Sequence, residues 1–170
     1  MPKGLKSTSS TVAIGFTVTE SAPNTFTEQQ VDLALDPLNN EVFVVLAINL
    51  EGSSPDAVAA TNTSVSSAVT TTSQTAMASL ADSNTLTRMY NRTRAQGYVD
   101  GGIHDASLAM ESPPALLDYI GIIATNNFFV SVEGVNCISA KTMTGKLYGY
   151  RARADASVYA ALVQGEVLSA

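Results

Sequence analysis

The chain has little of what most protein chemistry needs. Its 170 residues include one histidine, His104, one cysteine, Cys137, and no tryptophan. A single cysteine excludes an intramolecular disulfide framework. One histidine and one cysteine are also too few for a structural zinc site, which takes four such ligands. Charge is sparse: Asp, Glu, Lys and Arg make up 14% of the chain, against about 25% in ordinary soluble domains. The balance is acidic, 15 carboxylates to 9 basic side chains, for a net charge of −6. That counts against sequence-independent nucleic-acid binding, which uses clustered cations to displace counterions. No window approaches the ~18 apolar residues of a membrane-spanning helix. The opening "MPKGLKSTSS" has lysines without the apolar run of a secretory signal.

Hydrophobic residues, at 45% of the chain, are enough for one well-buried domain. Paired with so few charges, they predict much neutral surface, of the kind other subunits can cover. Residues 1–10 read as a flexible N-terminal arm, and 11–170 as a single β-sandwich domain. "TVAIGFTVTE" (11–20) puts Val12, Ile14, Phe16 and Val18 on one face with period two, a half-buried strand. In "EQQVDLALDP" (28–37) Val31, Leu33 and Leu35 alternate again until Pro37. "EVFVVLAINL" (41–50) is a continuous β-branched and aromatic run, the pattern of a strand covered on both faces.

From Ala57 to Ala81 no residue is charged, and Ser and Thr dominate. The segment has no 3.6-residue apolar stripe, and Ser and Thr compete for backbone groups, so helix is excluded. Val65, Val69 and Met77 share parity. The segment therefore reads as one or two long strands, or a strand and an ordered loop, whose neutral surface faces something other than solvent.

Further on, Leu86 and Tyr90 mark a strand, the glycines at 97, 101 and 102 a loop, and "ESPP" (111–114) a break. "ALLDYIGIIATNNFFVSVEG" (115–134) reads as two apolar strands meeting at "TNN". A short strand, a turn at Gly145 and a strand carrying Leu147, Gly149, Arg151 and Arg153 on one parity follow. Asp155 then N-caps a short C-terminal helix with Val158 and Leu162 four apart. About eight short strands with little helix and no internal repeat predict an all-β sandwich or barrel.

Few constellations could carry chemistry. His104 beside Asp105 lacks a third partner for a nucleophilic triad and reads as a loop histidine next to a turn aspartate. Cys137 lies in an apolar run with nothing cationic adjacent and reads as a small buried hydrophobe. The carboxylates are scattered singly, with no calcium-loop or phosphate-loop spacing. No cofactor, metal or catalytic residue is expected, although a carboxylate pair brought together by folding would reopen the enzyme class. The sequons at Asn62 and Asn91 mean little without a secretion route. Arg88, Arg92, Arg94, Arg151 and Arg153 are five of the nine basic residues. They are weighed as bidentate interface partners against the plainer reading of solvated strand faces. With Val65, Val69 and Met77 they form the expected interface set. Lys3 and Lys6 make the arm a candidate contact for lipid head groups or genome, with a plain disordered terminus the expected reading.

Two stretches, "TESAPNTFTEQQVDLALDPLNNEVFVVLAINL" and "LDYIGIIATNNFFVSVEGVN…GKLYGYRARADASVYAAL", give the chain a resemblance. In strand rhythm and composition they are similar to the single jelly-roll major capsid proteins of icosahedral, membrane-containing viruses of bacteria and archaea. The likeness covers roughly 110 residues and rests on no diagnostic motif. It implies a jelly-roll β-sandwich of two four-stranded sheets assembled side to side into capsomers. It further implies a virion location after synthesis in the host cytoplasm, copies of the chain and a second capsid protein as partners, and an internal lipid membrane within reach of the arm. The competing expectations are another virion β-sandwich, such as a tail-tube or decoration protein, and a carbohydrate-binding jelly roll with Tyr90, Tyr98, Tyr148 and Tyr150 as stacking platforms.

Overall fold

The computed structural model describes residues 3–97, 103–107, 110–111 and 118–168. The strands are β1 (Leu5–Ser7), β2 (Val12–Thr19), β3 (Thr27–Asp32), β4 (Glu41–Gly52), β5 (Thr63–Thr70), β6 (Thr85–Arg94), β7 (Ile103–Ser107), β8 (Met110–Glu111), β9 (Gly121–Ile123), β10 (Asn127–Val135) and β11 (Thr142–Ala154). One helix, α1 (Ala156–Leu168), follows them.

In the first sheet β11 is flanked by β4 on one side and by β1 and β2 on the other, and β8 and β9 lie beyond β4. The second sheet runs β3–β10–β5–β6–β7. Pairing is antiparallel throughout the described strands. Among the principal strands the order β2–β11–β4–β9 faces β3–β10–β5–β6, the interleaved Greek keys of a jelly roll. The short β1, β7 and β8 are additions to those eight.

The period-two faces dictate the core. Val18, Phe43, Val45, Ile48, Leu50, Met143 and Leu147 of the first sheet meet Val65, Val69, Met89, Phe128, Val130 and Val132 of the second. Phe16 packs edge-on to Phe128, ring centroids 5.6 Å apart. β4 is apolar on both faces because each face is covered. Phe43 and Val45 point between the sheets, while Val42 and Val44 join Leu5, Ala152 and Ala154 in an outer cluster against which Val158, Tyr159, Leu162 and Val163 of α1 pack. A bulge re-sets the alternation: Tyr148 pairs with Ala47 but Gly149 with Val45, leaving Leu46 as the extra residue.

Several expectations are corrected. No turn occurs at Gly145, because β11 runs unbroken through it. A Cβ there would stand 2.5 Å from the Phe16 ring, so the glycine makes room for an aromatic side chain instead of bending the chain. The expected flexible arm carries β1, with Leu5 buried and Lys6 paired to Arg153 in register. β3 ends at Asp32, not at Pro37. Ala34 takes a left-handed φ of 50°, while Leu33 and Leu35 still reach the core. β9 and β10 flank the "TNN" turn as expected but belong to different sheets. The turn therefore crosses the sandwich and does not close a hairpin. His104 lies on β7 opposite Thr93, not in a loop. Tyr98, Asp100, Gly101, Gly102 and residues 112–114 of the "ESPP" break lie outside the described residues.

Candidate interaction surfaces

One end of the barrel is held by carboxylates closed onto backbone amides. Buried Glu20, at the end of β2, accepts hydrogen bonds from the amides of Thr25 (3.1 Å), Gly134 (2.6 Å) and Lys141 (2.7 Å). Asp56, between β4 and β5, accepts from the amides of Ile138 (2.8 Å) and Ser139 (3.0 Å) and from Lys141 Nζ (2.7 Å). The Lys141 side chain is 4% exposed and that of Asp56 27%. The adjoining ammonium, followed by the Ser139 amide, holds the Asp56 carboxyl far below the ordinary range. Asn24 exchanges two hydrogen bonds with the backbone of Cys137. Asn62 Oδ1 accepts from the amides of Ala95 and Gln96, and Asn136 Nδ2 donates to the Asn62 carbonyl. The connections 20–26, 53–62 and 136–141 and the residues after β6 are thus one stapled plate. Ile138, 72% exposed, and Val135, 47% exposed, stand on it. Cys137 is buried, as its sequence context implied, but it lies in the 136–141 connection and not in the apolar strand expected there.

The sequence did not single out this plate. Glu20, Asp56 and Lys141 are isolated charges in three different loops, with no spacing that links them. The one available signal was chemical: each sits in a Ser-, Thr- or Pro-containing connection that has backbone amides to satisfy.

The opposite end is held by apolar cover. α1 lies across the outer face of β11, β4 and β9, and near its last turn Glu166 accepts from the amides of Ala124 (2.9 Å) and Thr125 (3.0 Å). Burial pushes the Glu166 carboxyl up, and the amides only partly offset this.

The five arginines separate into two groups. Arg88, Arg92 and Arg94 alternate along β6 on the outer face of the second sheet, where Arg92 lies 5.9 Å from the Tyr90 ring centre. Arg151 and Arg153 are engaged by their own chain at the α1 end. Arg151 donates to the Leu33 carbonyl (2.8 Å) and lies 3.8 Å from Glu41, and Arg153 donates to Asn39 Oδ1 and to its carbonyl. Sequence clustering did not become spatial clustering.

Val65 and Val69 are fully buried between the sheets, out of reach of any neighbouring copy, which corrects their assignment to an interface. The uncharged stretch 57–81 is explained within the subunit. β5 is a central strand whose outward Ser66, Ala68 and Thr70 are also buried. Tyr90 and Arg88 stand directly opposite Ser66 and Ala68 on β6, and the connection 71–84 folds over the β10 side. There Met77 Sδ lies 3.9 Å from Ser131 Oγ, and Ser73 Oγ and the Gln74 amide donate to Glu28. Met77 itself is half-buried in that cover. Strand and ordered loop was one of the readings the composition allowed. The neutral surface of β5 is covered by the subunit's own chain, while Ala59, Ala60, Thr75, Ala76 and Leu80 in the flanking connections stay exposed.

Among the described residues, Tyr90 does not share a platform with Tyr148 and Tyr150. Tyr90 is on the second sheet, while Tyr148 and Tyr150 are on the first, with Tyr150 packed into the α1 cluster. Asn91 of the second sequon is buried on the inner face of β6, closed to a glycosylating enzyme.

The part of the first sheet's outer face that α1 leaves bare carries Gly15 and Thr17 from β2, Thr144 and Lys146 from β11, and Asn49 and Glu51 from β4, all exposed.

The strand order defines a jelly-roll β-sandwich. No protein-family model matches the chain, and no curated protein matches it. Among solved structures it is similar to one of Desmodium yellow mottle tymovirus, with 12% identity over 92% of this chain and 96% of that chain, and a TM-score of 0.28. With an overlap that loose, the fold rests on the pairing within the chain itself.

Proposed function

We propose that the chain is a structural virion protein, a capsid subunit that self-assembles into the capsomers of an icosahedral shell. The observation that carries this reading is the bare half of the first sheet's outer face. Lys146 and Glu51 are the only charges that β2, β11 and β4 place on it, and it lies next to a half already covered by α1, so it is suited to burial against another subunit. The stapled end plate supports it, since a pre-organised surface with exposed Ile138 and Val135 loses little entropy on contact. A jelly roll alone would not decide between capsid, lectin and enzyme. The separation of Tyr90 from Tyr148 and Tyr150 counts against the shared stacking platform of a carbohydrate-binding module. The partners of this reading are copies of the chain and a second capsid protein, and its location is the virion. No catalytic step is assigned to it. The N-terminal segment, now partly a strand, would meet membrane or genome through Lys3 and Lys6, both exposed.

The test is size-exclusion chromatography with light scattering, and electron microscopy, of the purified full chain over a range of concentration and salt. Closed rings or shells are expected. A monomer under every condition overturns the reading.

A further inference from the structure

We propose that the bare half of the first sheet's outer face is a two-fold contact between copies, centred on the hollow between Lys146 and Glu51. The proposal rests on the assembly reading and says which surface and which pairing one of its contacts uses. In register, Lys146 stands opposite Asn49 and Thr144 opposite Glu51. These four exposed residues are the corners of a rectangle around a hollow of about 250 Å³ floored by Gly145 and Leu50. The cation and the anion occupy opposite corners, the diagonal of an antiparallel pair. Neither makes an ion pair or a side-chain hydrogen bond among the described residues. Among the described residues β2, β11 and β4 add only Gly, Ala and Thr to this part of the face, with Tyr148 at the margin of α1, and Met110 of β8 is paired with Asn49 at its edge.

Such a rectangle is complementary to itself. A two-fold axis parallel to the sheet along the Asn49–Thr144 diagonal brings each of the other two corners to within roughly 3 Å of the other's place at ordinary strand spacing and rise, a gap these long side chains span. Lys146 of each copy then faces Glu51 of the other, and Asn49 and Thr144 each meet their own counterparts. Both ion pairs form together, and no charge on the face is left unmatched. An axis along that diagonal sets the strands of the two sheets across one another, as in the orthogonal class of sheet packing. At ordinary strand spacing and rise, three strands by seven residues give roughly 300 Å² per copy, well short of the ~800 Å² of a stable pair. The contact therefore acts as one of several in an assembly and is transient in isolation.

The experiment compares the full chain with K146E, E51K and the double variant K146E/E51K, reading the assembled fraction by light scattering and microscopy. Circular dichroism checks that these exposed substitutions leave the fold intact. In parallel, T144C is treated in dilute solution with a short bis-maleimide, with the unsubstituted chain, whose Cys137 is buried, as the control. Each single reversal is expected to lower association about tenfold and the double variant to restore it. Thr144→Cys is expected to yield a covalent dimer. Single variants that assemble like the parent, or a double variant as impaired as the singles, overturn the contact while leaving the capsid reading in place. A Thr144→Cys dimer from a chain that never builds rings or shells overturns the capsid reading and leaves the contact. Failure of assembly together with failure to cross-link removes both.

Discussion

The two ends of this barrel solve the same problem with different chemistry. At the loop plate, connections too short and too polar to pack are held by Glu20 and Asp56, carboxylates that gather amides from three segments. At the other end a helix with no fully buried residue is held by half-buried Val158, Tyr159, Leu162 and Val163 over the sheet. Hydrogen bonds to a buried carboxylate are directional and fix a geometry, whereas apolar cover holds a position but tolerates adjustment. The plate is the rigid end, and the helix is the adjustable one.

The comparison breaks most severely at Glu20. Glu20→Ala leaves the buried Gly134 and Lys141 amides without their acceptor, at about 1–3 kcal/mol each, while the Thr25 amide lies where water can replace it. A loss of about 4 kcal/mol in the unfolding free energy from urea titration is expected, whereas an unchanged midpoint would mean that water enters the plate. Asp56 comes next. Asp56→Ala removes the partner of a buried lysine, and about 2–3 kcal/mol is expected, below the full penalty for an orphaned buried ion because Ser139 Oγ also accepts from Lys141. The pH dependence follows from the depressed carboxyl. The stability this pair contributes is complete above the ordinary Asp range, near pH 4, and is lost as pH falls below it. Urea titrations at pH 7, 5 and 3 should show that loss in the parent and a smaller one in Asp56→Asn.

The smallest effect, opposite in sign, belongs to the helix. The Glu166 carboxyl is raised, so its contribution is complete below the ordinary Glu range, near pH 4.3, and is lost as pH rises through the folded value. The amide signals of Ala124 and Thr125 should titrate with a midpoint above that range and go flat in Glu166→Gln, with less than about 1 kcal/mol of change in stability. Mild acid thus tightens the helix, and only stronger acid, below about pH 4, loosens the plate.

Alternation made the fold legible. Val12, Ile14, Phe16 and Val18 announce β2, and the apolar run at 41–50 announces a strand covered twice. What alternation cannot report is which neighbour supplies the cover. The outer residues of β5 could have faced another subunit, but β6 and the 71–84 connection cover them. Gly145 shows the same limit, since a glycine needed for room reads like a glycine needed for a turn. The plate was illegible because Asp56 and Lys141 are far apart in the chain, and only folding brings them to 2.7 Å. The arginines misled in the opposite direction, being near in sequence and parted by the sandwich.

A helix laid over half of one sheet has a geometrical consequence. It thickens the subunit by about 10 Å at one end of that face and not at the other, so the body tapers like a keystone. Two copies paired as proposed would overlap only by their thin halves, and the step at each helix would stop one from sliding over the other.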